Sequence, residues 1–221
     1  MSPVALADAG TEVPETMPLL PLFLKLAGRT VVVIGGGKMA VARVAQLAVV
    51  GAKITVVAPQ IAPEIAASGA RLVQRPFVAA DLDGAWFVVA AATPEANREV
   101  ARLAEERRLF VNAVDDPESA SAYTGAVVRR GAAVIAVSTG GRAPALAGLL
   151  REALATVLPD DLCTWLHTAD SLRDDWRRSR IPLAARRPLL LAALNRLYGG
   201  EGTTPPERTN ADRADTDKGE A

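Results

Sequence analysis

Thr30-Val31-Val32-Val33-Ile34-Gly35-Gly36-Gly37-Lys38-Met39-Ala40 is the stretch that decides the fold. A run of β-branched residues enters three glycines, and an Ala-rich segment with helical spacing follows. A continuous apolar run is what a parallel strand covered on both faces looks like. The glycines let the backbone turn tightly and approach a ligand that any Cβ would hold away. The helix expected from about Lys38 aims its unpaired N–H groups and positive dipole end at that turn, which suits a pyrophosphate. Gly35-x-Gly37-x-x-Ala40 fits the dinucleotide fingerprint, with Ala40 as the small residue where helix and strand pack closely. Any loop that needs positive φ could carry such glycines. The strand–turn–helix context is what assigns them to a dinucleotide.

Working outward, the pattern alternates. The helix after the glycines should run to about Val50 and stop at Gly51. Lys53–Ala58 reads as a second strand ended by Pro59, then a short helix over 63–68 and a strand over 71–74. Trp86–Ala91 is a further buried strand, Glu95–Arg108 an amphipathic helix with Ala96, Val100, Leu103 and Ala104 on one face, and Leu109–Val114 another strand. This alternation predicts an α/β fold, a Rossmann-like doubly wound parallel sheet. Upstream, Pro18–Leu26 is apolar but broken by prolines and should pack as an extended lead-in. After Asp115 the pattern changes. Ser121–Arg129 and Ala132–Val137 read as two strands of a hairpin, and Ala145–Leu158 as a helix. A helix capped by Asp160 or Asp161 should present Leu162, Trp165, Leu166, Ala169, Leu172 and Trp176 on one face. A last helix spans Ile181–Tyr198, with Pro182 in its first turn. The organisation expected is a loose extension (1–17), a Rossmann domain (18–119), a small α+β segment (120–158), a C-terminal helical region (159–199) and a disordered tail (200–221).

Composition bounds the function. Half of the 221 residues are apolar, enough for a sizeable core. Lys+Arg and Asp+Glu both number 25, so no global field favours nucleic acid. The single Cys excludes an internal disulfide framework or a Cys-based metal cluster, and Cys163 is expected to be a small buried residue. No apolar run reaches the roughly 18 residues of a membrane span. The N-terminal stretch lacks a basic region and holds Asp8, Glu12 and Glu15, so no signal peptide is expected and a cytoplasmic location is.

The only histidine, His167, falls on a late helix and reads as a surface or packing residue. No Ser/His/Asp triad or His-rich metal site can then be assembled, and no metal ligand set is expected. Chemistry must come from a bound cofactor, carboxylates, hydroxyls and arginines, a pattern suited to hydride transfer. No acidic residue lies between Gly37 and Glu64 to hold a ribose, and no Arg follows the second strand to take a 2′-phosphate. These residues therefore leave NAD and NADP open, with Gln60 the side chain placed for the adenosine. Asp115 ends a sheet strand, where open α/β sheets place their ligand crevice. Partial withdrawal from water would raise its pKa towards a useful range for proton transfer. The competing reading is a turn-forming Asp before Asp116-Pro117. Ser138-Thr139-Gly140-Gly141 could meet an anion or simply cap a helix. Arg129, Arg130, Arg142 and Arg151 lie in the same region and suit substrate carboxylates. The denser run Arg177, Arg178, Arg180, Arg186 and Arg187 reads as exposed surface.

Several segments carry a resemblance. Pro21-Leu22-Phe23-Leu24 leads into Val33–Ala40, followed by Ala90-Ala91-Ala92-Thr93, Asn112-Ala113-Val114-Asp115-Asp116-Pro117 and Ala136–Pro144. In order and spacing they resemble the precorrin-2 dehydrogenase family, the dehydrogenase/ferrochelatase part of siroheme synthase, over about Pro18–Tyr198. The resemblance implies NAD-dependent oxidation of precorrin-2 to sirohydrochlorin, in the route to siroheme and, in some organisms, cobalamin. Some members also insert Fe²⁺ or Co²⁺. Gly35, Gly37, Lys38 and Met39 match the pyrophosphate turn, Pro59 and Gln60 the adenosine side, and Thr93 a further cofactor position. Asp115 matches the catalytic aspartate, which is also the proposed metal-insertion base. Ser138, Thr139, Gly140 and Arg142 fall on the substrate side, Thr139 where some relatives carry a serine that is phosphorylated in at least one. The resemblance also implies a homodimer, with 120–158 exchanged across its axis. Because the chain ends at Ala221, methylation is expected from a separate methyltransferase. A different class of function explains the glycine turn alone: a regulatory domain that senses NAD without turnover. NADH formation from precorrin-2 separates the two.

Overall fold

The computed structural model describes residues 19–198. The expected loose extension (1–17) and tail (200–221) lie outside the described residues. By their contacts the described residues form two units, 19–126 with 136–150 and 127–135 with 151–198.

The first unit is built on a five-stranded parallel sheet in the order β3-β2-β1-β4-β5. Its strands are β1 (Thr30–Ile34), β2 (Lys53–Val57), β3 (Arg71–Val73), β4 (Phe87–Ala90) and β5 (Phe110–Ala113). Between them run α1 (Lys38–Val49), α2 (Pro63–Ala66) and α3 (Pro94–Glu106), with a 3₁₀ turn over Ala79–Leu82. Alternate residues of each strand face opposite sides. Val31 and Val33 therefore pack with Ala40, Val44 and Leu47 of α1, while Val32 and Ile34 join Val100, Leu103 and Ala104 of α3. Two apolar layers sandwich the sheet, which is why β1 is apolar at every position from Val31 on. The order reverses between β1 and β4, so a crevice opens beyond their carboxyl ends.

Register fixes what surrounds that crevice. Ile34 pairs with Val57 and Ala90, and Ala90 with Ala113. Four strands end level, and the segments leaving them begin at Gly35, Ala58, Ala91 and Val114.

Beyond β5 the chain differs from expectation. The strand expected over 121–129 is shorter and later, β6 (Ala126–Arg130), and pairs with β7 (Ala133–Val137) through a link containing Gly131 at φ 56°. Residues 121–122 instead dock against β5. The Val111 amide donates to Ser121 Oγ (2.9 Å), and both the Ser121 and Ala122 amides donate to the Val111 carbonyl (3.0 Å). An edge strand needs its free N–H and C=O groups satisfied, and this segment does so without becoming a strand. The apolar lead-in also departs from the expected packing: Leu19, Leu20, Leu22, Phe23 and Leu24 are exposed, and only Leu26 joins the core. No sheet neighbour pairs with it, so its side chains have no layer to enter.

Helix α4 (Pro144–Val157) follows the hairpin, and the second unit ends in α5 (Leu162–Arg178) and α6 (Leu183–Leu197). Leu162, Trp165, Leu166, Ala169, Leu172 and Trp176 are the partly covered face of α5, but neither helix buries a residue. Cys163 is exposed, contrary to the buried role expected of it, because it stands off that face. His167 is exposed as well. Asp161 precedes α5 without a side-chain capping bond; its Oδ2 accepts from the Tyr198 hydroxyl (2.8 Å), which ties the start of α5 to the end of α6.

Candidate functional site

The three glycines at the β1–α1 corner have different jobs. Gly35 sits at φ 122°, and a Cβ there would lie 2.1 Å from the Ala91 carbonyl oxygen. A Cβ on Gly36 would lie 2.1 Å from the Gln60 carbonyl oxygen, so this glycine, absent from the fingerprint reading, is required by the approach of the segment after β2. A Cβ on Gly37 would meet nothing within 4 Å. Gly37 is the N-cap of α1 and makes no side-chain capping bond, so the first-turn N–H groups face open space. A backbone cradle at a helix start, bare of side chain, fits the pyrophosphate of a dinucleotide. Lys38 and Met39 are exposed beside it, Ala40 is fully buried, and Pro59 and Gln60 are exposed across the corner.

Thr93 is the N-cap of α3; its Oγ1 accepts from the Ala96 amide (3.4 Å). The hydroxyl is therefore engaged locally, and Thr93 lines neither of the two clefts beside Asp115, although its neighbours Ala92 and Pro94 line one of them. Four positions on, Asn97 is buried and spans two loops. Its Oδ1 accepts from the Ala92 amide (3.0 Å), and its Nδ2 donates to the Val114 carbonyl (3.4 Å).

Asp115 follows Val114 at φ 59°, a conformation that Asp tolerates better than most residues. It lines two adjoining clefts. One is shared with Met39, Ala92, Pro94 and Asn97, on the glycine-corner side. The other is shared with Arg43, Asn112, Tyr123, Ser138 and Thr139. Asp115 is exposed rather than partly withdrawn from water. Asp115 itself stands in the turn after β5, as the competing reading has it, while the side-chain hydrogen bond of this segment is made by Asp116, whose Oδ1 accepts from the Ser119 amide (3.2 Å).

In the 138–141 turn, Ser138 Oγ accepts from the Gly140 amide (3.2 Å) and Thr139 Oγ1 from the Ala143 amide (3.2 Å). The two hydroxyls thus order the turn before α4, each with its own proton still free to donate. Ser138 and Thr139 line the second cleft with Asp115, whereas Gly140 and Arg142 do not. Gly140 approaches the Leu19 side chain, and Arg142 is exposed. Arg129, Arg130 and Arg151 belong to the second unit. Arg130 donates to the Ala155 carbonyl (3.3 Å), and Arg151 pairs with Glu152 (2.8 Å).

The arginine in this cleft is Arg43, on α1, which motif reading passed over. Burial holds its guanidinium below the usual arginine value, with Asp115 pulling the other way. A signal was present: Arg43 stands among the apolar residues Val41, Ala42 and Val44 of α1. Only the fold shows that this side meets Asp115. Among the described residues no group of three or more His, Cys, Asp and Glu could hold a metal ion, and no helix is long and apolar enough to cross a membrane.

Residues 22–126 match a family model described as putative NAD(P)-binding. The chain is 39% identical to siroheme synthase 2 of Aeromonas salmonicida (strain A449) over 175 residues, 77% of this chain and 36% of that protein. It is 42% identical to the siroheme synthase of Methylobacillus flagellatus over 148 residues, 65% of this chain and 32% of that one. The chain thus spans about a third of the length of these relatives. Among solved structures, SirC, described as a precorrin-2 dehydrogenase, superposes with a TM-score of 0.64 at 26% identity, covering 81% of this chain and 92% of that one.

Proposed function

We propose that this chain belongs to the family that forms the dehydrogenase part of siroheme synthases and oxidises precorrin-2 to sirohydrochlorin. The observation that carries the reading is Asp115, which stands at the junction of two clefts, one reaching the glycine corner and the other open to a second ligand. The cofactor is a nicotinamide dinucleotide, and we read it as NAD from the family resemblance, since the residues after β2 offer neither a carboxylate for a ribose nor an arginine for a 2′-phosphate. When bound, it supplies the acceptor for the hydride. Gly35, Gly37, Lys38 and Met39 would hold its pyrophosphate, Pro59 and Gln60 its adenosine end, and the Thr93 backbone would border its nicotinamide half.

Loss of a hydride from the macrocycle must be matched by loss of a proton, and the Asp115 carboxylate takes it. It accepts no hydrogen bond from the described side chains, so its lone pairs are available. Ser138 and Thr139 donate their hydroxyl protons to the substrate, with Gly140 shaping the turn and Arg142 meeting a peripheral carboxylate from the rim. Metal insertion, with Fe²⁺ or Co²⁺ as a substrate, would use the same carboxylate to remove pyrrole N–H protons. We assign residues 18–119 to cofactor binding, 120–158 to dimerisation and 159–199 to a helical region, in a cytoplasmic homodimer. Exposed Leu146, Leu149 and Leu150 on α4, together with α5 and α6 that bury nothing, support a second copy as the missing cover.

Anaerobic incubation of the purified protein with precorrin-2 and NAD, followed by absorbance, tests the reading. NADH and sirohydrochlorin should rise together. Tight NAD binding with no NADH formed would favour a regulatory domain instead. Co²⁺ added to accumulated sirohydrochlorin tests insertion, and light scattering tests the dimer.

A further inference from the structure

We propose that Arg43 is a substrate-binding residue whose guanidinium receives one of the tetrapyrrole's carboxylates in the cleft beside Asp115. The inference rests on the reaction proposed above and adds to it a specificity contact that the motifs do not include.

Two polar atoms in this cleft are buried without a hydrogen-bond partner, Arg43 Nε and Asn112 Oδ1. Asn112 is only 5% exposed, and its Nδ2 donates to the Ala122 carbonyl (3.0 Å). That acceptor requires the amide nitrogen to face it, so the unsatisfied oxygen is the one directed elsewhere. Arg43 Nη1 donates to Gln46 Oε1 (3.0 Å), while no ion pair joins the guanidinium to a carboxylate among the described residues.

A half-buried cation kept for the fold would be paired, because leaving it unpaired costs stability. Here the Arg43 guanidinium lines the cleft with no carboxylate paired to it among the described residues, while Arg43 Nε and Asn112 Oδ1 lie beneath the cleft wall without partners. A polycarboxylate macrocycle supplies the carboxylate oxygen that the guanidinium lacks. It also brings the ring against Asp115, with which Arg43 interacts electrostatically.

The test compares the full-length wild type with Arg43→Ala and with Arg43→Gln, which keeps more of the volume should the alanine variant fold poorly. Sirohydrochlorin Kd, precorrin-2 KM and kcat, NAD Kd and ligand-free Tm are measured for each. Both variants should raise the sirohydrochlorin Kd and precorrin-2 KM by about tenfold or more, as expected for a lost charge-assisted hydrogen bond. NAD Kd should stay within about twofold, and ligand-free Tm should not fall, since no partner is orphaned in the cleft. Unchanged tetrapyrrole affinity overturns the assignment. So does a parallel loss of NAD affinity, which would give the guanidinium to the cofactor, or a lowered Tm in both variants, which would make it structural. A wild type that binds NAD but neither turns over precorrin-2 nor binds sirohydrochlorin removes the proposed reaction, and this contact with it.

Discussion

The buried side chain of Asn97 holds the carbonyl of Val114, seventeen positions along the chain, while its own oxygen holds the Ala92 amide. One residue on α3 thereby couples the segment leaving β4 to the one that carries Asp115. Asn97→Ala would leave both backbone groups without their partner, at about 1–3 kcal/mol. Thermal unfolding should show that loss. Because Asp115 is the next residue, kcat for precorrin-2 should fall further than NAD affinity, which steady-state kinetics and a cofactor titration would read separately.

The glycine corner should divide cleanly on substitution. Gly35→Ala and Gly36→Ala each drive a Cβ to 2.1 Å from a backbone oxygen, and Gly35 adds a positive φ. Each should lower stability by about 2 kcal/mol or more. Gly37 has ordinary φ and open space. Gly37→Asp should unfold near the wild-type temperature yet fail to bind NAD, since the carboxylate occupies and repels the pyrophosphate site. Differential scanning fluorimetry with and without NAD distinguishes the two behaviours.

At Asp115 the left-handed backbone offers a further separation. Asp115→Gly removes the side chain and relieves its conformational cost, so stability should hold or rise by up to about 1 kcal/mol. NADH production from precorrin-2 should be abolished in the same variant, with NAD binding nearly intact. A loss of activity coupled to a gain in Tm would mark a residue retained for chemistry at some expense to the fold. Full turnover would remove Asp115 from the mechanism.

Acid sensitivity should trace in part to Asp81. Arg75 donates two hydrogen bonds to its carboxylate (2.7 and 2.6 Å), and the Val78 amide donates another (2.8 Å). The Arg75 bonds, helped by that amide and by the opposite charge, hold the Asp81 pKa below the usual aspartate value. A depressed folded-state pKa stabilises above the unfolded value, about 3.9, and the benefit disappears as pH falls through the folded one. Asp81→Asn should therefore lower Tm at neutral pH, with the difference from wild type closing below about pH 4. Arg75 is partly exposed, so salt should shrink the effect. Melting curves across pH and ionic strength would check both statements.

Most strands and helices of the sheet domain were legible because their cause is local. The apolar run into three glycines announces β1 and α1, Pro59 closes β2, and the apolar spacing of Val100, Leu103 and Ala104 marks the buried face of α3. The place of the candidate cleft was legible in part for the same reason, since Asp115 and the 138–141 turn each follow a strand. Gly36 was not, because its need arises from Gln60, which the sheet brings alongside. Arg43 and Asn97 carried no motif, and Asn112 was visible only as part of the segment around Asp115. What Asn97 and Asn112 hold lies on other segments, and what Arg43 faces is set by the fold.

The segments flanking the sheet show the other limit. The apolarity of Leu19–Leu24 and of the α5 face could be read from composition, but burial depends on what covers a side chain. Local spacing says nothing of that. By itself, the order of residues determined where backbone could extend, coil and turn, since those choices are made within a few neighbours. Only the tertiary structure decided which side chains meet at the crevice. Strand register and the reversal between β1 and β4 bring Gly37, Arg43, Asn112 and Asp115 from distant segments to one end of the sheet, and no periodicity encodes that convergence.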